Sequence, residues 1–260
     1  MAYDPTQPML FSSGTFWALF LLFLPIYAKL KGRRMDMVVY VVAFSLYFYY
    51  KSSGIFFLLP LATSILEYLL SLKLATCLKE WQRKLCVALS VTASLSILGY
   101  FKYANFFAMS WAHLVGTNFQ PMDIILPVGI SFFVFQSMSY TIDIYRGQIK
   151  PLERWIDYMF YLSFFPQLVA GPIVRARDFI PQIRRPLMVT RAMFGAGIGY
   201  IIIGLVKKAI ISDYISLNFV DRIFDEPALY SGFECLMGMY GYALQIYCDF
   251  SGYSDMAIGI

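Results

Sequence analysis

The sequence predicts an all-α fold: a polytopic transmembrane helical bundle with one re-entrant element. Three observations predict it: a composition too poor in charge for water, a succession of apolar runs about one bilayer long, and basic clusters between them. Of the 260 residues, 59% are hydrophobic, 18% aromatic and only 14% charged, with a mean hydropathy of +0.62. Soluble domains carry about 25% charged residues, so this chain could not cover its own surface in water and lipid is its expected solvent. The net charge of +5 lies in short clusters between apolar runs, as cytoplasmic loops do, and gives no reason to expect nucleic acid as a partner.

A spanning helix needs about 20 mostly apolar residues. The first candidate is Ser12 to Ala28, followed by Lys29, Lys31, Arg33 and Arg34. Its leading MAYDPTQP has no basic segment, so the run reads as a retained anchor and not as a cleaved signal. Met37 to Tyr50 and Ser52 to Leu72 are the second and third, the latter interrupted only by Glu67. Lys73, Lys79, Arg83 and Lys84 precede the fourth, Leu85 to Phe101. If all four cross, both basic clusters share one side and only Lys51 and Lys102 stand opposite, which places the N-terminus outside.

Tyr103 to Met122 reads as an interfacial segment on the outer side. Ile124 to Ile142 spans inward to Arg146, Lys150 and Arg154. Tyr158 to Val174 is long enough to cross, but Arg175, Arg177, Arg184, Arg185 and Arg191 follow it, and Pro166, Gly171 and Pro172 interrupt it. A re-entrant element reconciles these facts, because non-helical backbone survives at membrane depth only beside protein or a watery cavity.

Ala192 to Ile211 returns outward, with Gly195 and Gly199 spaced for close helix approach. An outer loop then carries Asp213, Asp221, Asp225 and Glu226, and Ala228 to Cys248 comes back in, broken by Glu234. The expected organisation is seven spans plus the re-entrant element, in one membrane-embedded domain over residues 1–260.

Polar groups inside such runs are the functional candidates, because a central charge costs about 2.5–3.5 kcal/mol on insertion scales. The densest group is in ALQIYCDFSGYSDMAIGI. Gln245, Asp249 and Tyr253 share one helical face, while Ser251 and Asp255 lie about 200° around. Such a helix needs protein or a cavity on both sides; a plain interhelical hydrogen-bond network explains it equally well. A second group is Gln167, Gly171, Pro172, Arg175 and Arg177, where a cationic exit could receive an anionic donor. Composition by itself favours the plainer reading of those arginines as topology and lipid-headgroup contacts. Lys207 and Lys208 read as snorkelling cations, and Gln136, Ser137 and Ser139 as helix-packing residues.

The four cysteines lie far apart without C-x-x-C, so no metal site and no disulfide framework is expected. His113, the single histidine, has no carboxylate nearby in sequence to orient it. Phosphate-loop, dinucleotide, zincin and serine-hydrolase motifs do not occur.

Three stretches together carry a resemblance. They are GYFKYANFF (Gly99 to Phe107) with ILPVGISFFVFQSMSYTIDIYRG (Ile125 to Gly147), YLSFFPQLVAGPIVRARDFIPQI (Tyr161 to Ile183), and YALQIYCDFSGYSDMAIGI (Tyr242 to Ile260). In this order they resemble the membrane-bound O-acyltransferase family, closest to its alginate O-acetyltransferase branch, with teichoic-acid D-alanyl transferases more distant. The resemblance covers most of residues 85–260 and extends to residues 1–84 only in pattern.

The resemblance implies an O-acyltransferase in the inner cell membrane that moves an acyl group, acetyl first of all, to a hydroxyl of an extracytoplasmic polysaccharide such as alginate. It implies no bound cofactor; acetyl-CoA or a carrier-bound acyl thioester would be the donor, and periplasmic acetyl-transfer proteins would be partners. The family's essential histidine lies in a tryptophan- and arginine-rich stretch beyond the D-F-S-G-Y-S-D-M string. No residue here matches it, so no catalytic residue is assigned, and the chain is expected to be a C-terminally truncated piece, inactive alone. The positions carried over as tunnel residues are Gln136, Gln167, Gly171, Pro172, Arg175, Asp249, Ser251, Gly252 and Asp255. Composition alone leaves open a membrane transporter or channel subunit and, for the piece as it stands, a non-catalytic scaffold.

Overall fold

A computed structural model describes residues 9–30, 32–168, 171, 174–183 and 188–260, of which 81% of the chain is helical with no strand among the described residues. Three helical stretches are long and apolar enough to cross a membrane, Arg34–Thr76, Glu80–Val115 and Arg191–Asp225, and Gly14–Lys29 is a shorter apolar helix. The chain divides into two compact units, the first holding residues 27–168 and 174–183, the second residues 9–26, 171 and 188–260 among those described.

The helices run α1 (Gly14–Lys29), α2 (Arg34–Ser53), α3 (Leu58–Thr76), α4 (Glu80–Leu98), α5 (Ala104–Val115), α6 (Ile130–Tyr145), α7 (Trp155–Ser163), the single turn α8 (Phe165–Leu168) and α9 (Ala176–Ile183). In the first unit α2 ends at Gly54, whose φ of 59° is a conformation glycine adopts without strain, and a short 3₁₀ turn, Gly54–Phe57, starts α3. Helix α7 packs against both α2 and α3. Arg34 lies 4.0 Å from Asp157 and the Tyr68 hydroxyl donates to the Glu153 carbonyl at 2.8 Å. The start of α2, the end of α3 and the start of α7 therefore share one end of this unit, the end that carries the basic residues.

Two expected boundaries differ. The interfacial segment expected from Tyr103 is helix that continues α4 through a π turn, Gly99–Tyr103, into α5. The span expected from Ile124 begins as helix only at Ile130. Pro127 cannot donate a backbone hydrogen bond, and Gly129 has φ 73°, which breaks the helix. The turn there, closed by the Ile130 amide donating to the Pro127 carbonyl at 3.3 Å, is served by α2: Tyr49 donates to the Val128 carbonyl at 2.7 Å, and the Val128 amide donates to Ser53 Oγ at 3.1 Å.

The core of this unit contains Glu67, which is 0% exposed. Ser90 Oγ lies 2.8 Å and 2.7 Å from its two carboxyl oxygens, Ser94 Oγ 3.1 Å from Oε1 and Thr141 Oγ1 2.6 Å from Oε2. One carboxyl thereby joins α3, α4 and α6.

The expected element from Tyr158 to Val174 is interrupted, at α7 and α8; its residues 169, 170, 172 and 173 lie outside the described residues. Helix α7 has 9 residues, about 13 Å of rise, less than half the ~30 Å hydrocarbon core. It stops at Phe164, α8 makes a single turn, and by Val174 the chain is back against α7, where the Val174 carbonyl accepts from the Tyr161 hydroxyl at 3.3 Å. Helix α9 then lays Phe179 against the rings of Phe160, Tyr161 and Phe164.

The second unit holds α10 (Arg191–Leu205), a π stretch (Val206–Ser212), the single turn α11 (Asp213–Ile215), a second π stretch (Ser216–Val220), α12 (Asp221–Asp225) and α13 (Gly232–Gly259). The outer loop expected at Asp213 to Asp225 is therefore helix as far as Asp225. Glu234 does not break the last span either: it forms a capping box with Ser231 that starts α13, satisfying amides that a helix start leaves free.

Helices α10 and α13 cross at glycines, but not at the expected pair. A Cβ on Gly195 or Gly199 would meet nothing within 4 Å. A Cβ on Gly204 would meet Gly252 O at 2.6 Å, and one on Gly197 would meet Gly259 O at 2.7 Å. The contact runs along the face a half-turn or so away from Gly195 and Gly199, which the G-x-x-x-G spacing alone could not reveal.

Candidate functional site

The first group of polar residues is built on the break between α7 and α8. Because α7 stops short, the carbonyl of Tyr161 has no partner one turn further on, and Gln136 of α6 supplies one: its Nε2 donates to Tyr161 O at 3.0 Å. The same nitrogen lies 3.3 Å from Gln167 Oε1. Gln136 and Gln167 are 3% and 8% exposed, so this pair is covered by protein in the first unit. Gln136, read from composition as packing and from the resemblance as a tunnel position, thus serves the interrupted backbone, together with Ser45, whose Oγ accepts from the Phe165 amide at 3.2 Å.

Arg175 is exposed at the start of α9, as is Arg177, which pairs with its neighbour Asp178 at 3.6 Å. Gly171 is buried. Pro172 lies outside the described residues, so its expected place in this loop is not described. The structure brings Gln136 and Gln167 into contact and leaves Arg175 facing outward.

The second group is an ion cluster between the π stretch and α13. Lys207 Nζ donates to Asp255 Oδ2 at 2.6 Å and to Ser251 Oγ at 2.9 Å. Lys208 Nζ donates to Asp213 Oδ1 at 2.8 Å, lies 2.7 Å from Asp249 Oδ1, and sits 5.5 Å from the centre of the Tyr253 ring. Below it Gln245 Nε2 donates to Ser216 Oγ at 2.9 Å, Ser216 donates to Asp221 Oδ2 at 2.8 Å, and Ser212 donates to the Gln245 carbonyl at 3.0 Å.

Two consecutive lysines therefore serve the two polar faces of α13, Ser251 with Asp255 on one and Asp249 on the other. This corrects the snorkelling reading of Lys207 and Lys208: a lysine midway along an apolar stretch finds carboxylates on the neighbouring helix before it finds the interface. Gly252 makes the arrangement possible, since a Cβ there would meet Gly204 O at 2.8 Å and Lys208 N at 3.1 Å.

The cluster has two cations against three carboxylates, because Asp213 and Asp249 share Lys208. At Lys208 the carboxylates are the open side, Asp213 and Asp249 being 41% and 45% exposed against 14% for the lysine, whereas at the other pair Lys207 is the more exposed partner, 27% against 17% for Asp255. Chemically its Asp213 and Asp249 end offers acceptors for hydroxyl donors, with the Lys208 ammonium held behind them. Lys207, Lys208, Asp213 and Ser216 were not expected here. The only sequence signal for them was a lysine pair and an aspartate inside an otherwise apolar run.

His113 is exposed on α5 and, among the described residues, no carboxylate pairs with it.

No family model matches the chain. Among curated proteins it is 34% identical over 97% of its length to "Probable alginate O-acetylase AlgI" of Azotobacter vinelandii, covering 51% of that protein. It is 35% identical over 97% of its length to the protein of the same name from Pseudomonas aeruginosa, covering 49%. A peptidoglycan O-acetyltransferase of Helicobacter pylori is 32% identical over 85% of the chain and 47% of its own length. A polytopic helical body with this relationship along nearly its whole sequence defines the class: the chain belongs to the membrane-bound O-acyltransferase family. Within that family it falls in the alginate O-acetylase branch. The chain spans about half the length of the curated relatives it matches.

Proposed function

We propose that the protein is a polysaccharide O-acyltransferase of the inner cell membrane, with its N-terminus outside. It takes an acetyl group from a cytoplasmic thioester, acetyl-CoA or a carrier-bound acyl thioester, and passes it to a hydroxyl of an extracytoplasmic polysaccharide such as alginate. Periplasmic acetyl-transfer proteins are its partners. One observation carries this reading: similarity over 97% and 85% of this chain, and about half of each relative, to proteins named for O-acetylation of alginate and of peptidoglycan.

In this reading the two polar groups have separate tasks. Gln136, Gln167, Gly171, Pro172 and Arg175 shape the donor side, where the exposed Arg175 suits a phosphate-bearing thioester carrier. Asp249, Ser251, Gly252 and Asp255 shape the acceptor side, where carboxylate and seryl oxygens suit the hydroxyls of a sugar. Neither group supplies the general base, which would titrate near neutral pH as histidine does; residues 1–260 alone are expected to be inactive.

The test is an acetyl-ester assay on surface polysaccharide in cells lacking their own acetylating enzyme. Expression together with the natural downstream sequence should restore ester, and expression of residues 1–260 should not. Solute flux without ester would overturn the proposal in favour of a transporter. Ester from residues 1–260 alone would overturn the inactivity of the piece.

A further inference from the structure

The Glu67 carboxyl stands outside both polar groups. Among the described residues no counter-ion pairs with it. The charged residues on the helices packed against α3 are Glu80, Arg83 and Lys84 on α4, Asp143 on α6 and Asp157 on α7, and Lys73 lies on α3 itself. Among the described residues none of them forms an ion pair with Glu67. The hydroxyls of Thr63 and Tyr158 are buried without a partner.

The contacts of the carboxyl give a proton count. Four O···O distances lie within hydrogen-bond range, two of them to Ser90. The three hydroxyls of Ser90, Ser94 and Thr141 hold only one proton each. One Ser90 proton split between Oε1 and Oε2 would make two weak, bent contacts; four full hydrogen bonds need a fourth proton, and the carboxyl itself is the remaining group that can carry one. The near-equal distances from Ser90 Oγ to Oε1 and Oε2, 2.8 Å and 2.7 Å, suit a ring in which the acid O–H donates to the hydroxyl oxygen and the hydroxyl O–H returns to the other carboxyl oxygen.

We propose that Glu67 is a proton-binding site: its carboxyl is uncharged at neutral pH and forms this cyclic acid–hydroxyl pair with Ser90. The bound proton is what lets α3, α4 and α6 meet around a carboxyl in the absence of a cation. Its loss would put an uncompensated charge at the junction of the three helices and would loosen them. The inference is independent of the acyl-transfer reading.

The experiment is difference infrared spectroscopy of the full-length protein in lipid nanodiscs at neutral pH, parent against Glu67→Gln. The expected result is the loss of one protonated-carboxyl C=O band in the variant. Loss of a carboxylate band instead would overturn the proposal. Ser90→Ala is the second arm and does not depend on Glu67→Gln folding. It should move the protonated-carboxyl band to higher frequency as the cyclic partner is removed, and a band that stays in place would overturn the cyclic pair.

Discussion

Gly252→Ala tests whether α10 and α13 meet where the structure joins them. The new methyl group would stand 2.8 Å from Gly204 O and 3.1 Å from Lys208 N, both backbone atoms that no rotamer change can move. Ordinary contact begins near 3.4 Å, so the helices must separate by roughly half an ångström. Overpacking of this kind costs about 1–3 kcal/mol, and a backbone obstacle puts it at the upper end. Replacing glycine inside a helix returns about 0.5–1 kcal/mol. The net loss is about 2 kcal/mol, roughly thirtyfold in the folding equilibrium. Gly199→Ala is the internal control, since its Cβ would meet nothing within 4 Å and only the helix gain applies. Reversible unfolding in mixed detergent micelles measures both. The packing would be refuted if Gly252→Ala were within about 0.5 kcal/mol of the parent, the usual scatter of surface substitutions, or if Gly199→Ala were equally costly.

Further predictions follow from the same geometry. Lys208→Met strips two carboxylates of their shared cation; a buried pair broken this way costs about 3–5 kcal/mol, and the partial exposure of Asp213 and Asp249 reduces that to about 1–2 kcal/mol. Adding Asp249→Asn should recover part of the loss, and a double-mutant cycle of unfolding free energies reads the coupling. Gln136→Leu leaves the Tyr161 carbonyl without its side-chain donor and should cost about 1–3 kcal/mol, with faster amide exchange at the α7–α8 break. Ser231→Ala removes one half of the α13 capping box, for a loss of about 1 kcal/mol, and amide exchange should rise in the first turn of α13 with no change at Gly252.

The apolar runs and basic clusters made the helical class and most helix positions legible, because burial of whole segments in lipid depends on composition. The interrupted element was legible too, since Pro166 and the arginines after it cannot be fitted to a simple crossing. What stayed hidden depended on partners far apart in sequence. Lys207 and Lys208 could be placed in a run, but two of their three carboxylates, Asp249 and Asp255, lie on α13, more than forty residues on, where the glycine contact brings the two stretches together. Glu67 showed as an interruption, whereas its hydroxyls come from α4 and α6. Ser90 and Ser94 are four apart on one helical face, a visible spacing that nevertheless does not name its target. The capping box is the opposite case: Ser231 and Glu234 stand at the spacing a helix start requires, and the local pattern could have placed that boundary.

The peptide at Val128 has a mechanical consequence. Tyr49 and Ser53, one helical turn apart on α2, grip its oxygen and its nitrogen respectively. Sliding α2 by one residue, about 1.5 Å along its axis, would release both grips at once and leave two part-buried polar atoms without these partners. The linker thus acts as a detent that fixes the depth of α2 against the start of α6, so a one-residue insertion in α2 ahead of Tyr49 should be absorbed at the Arg34 end of the helix and leave this joint in place.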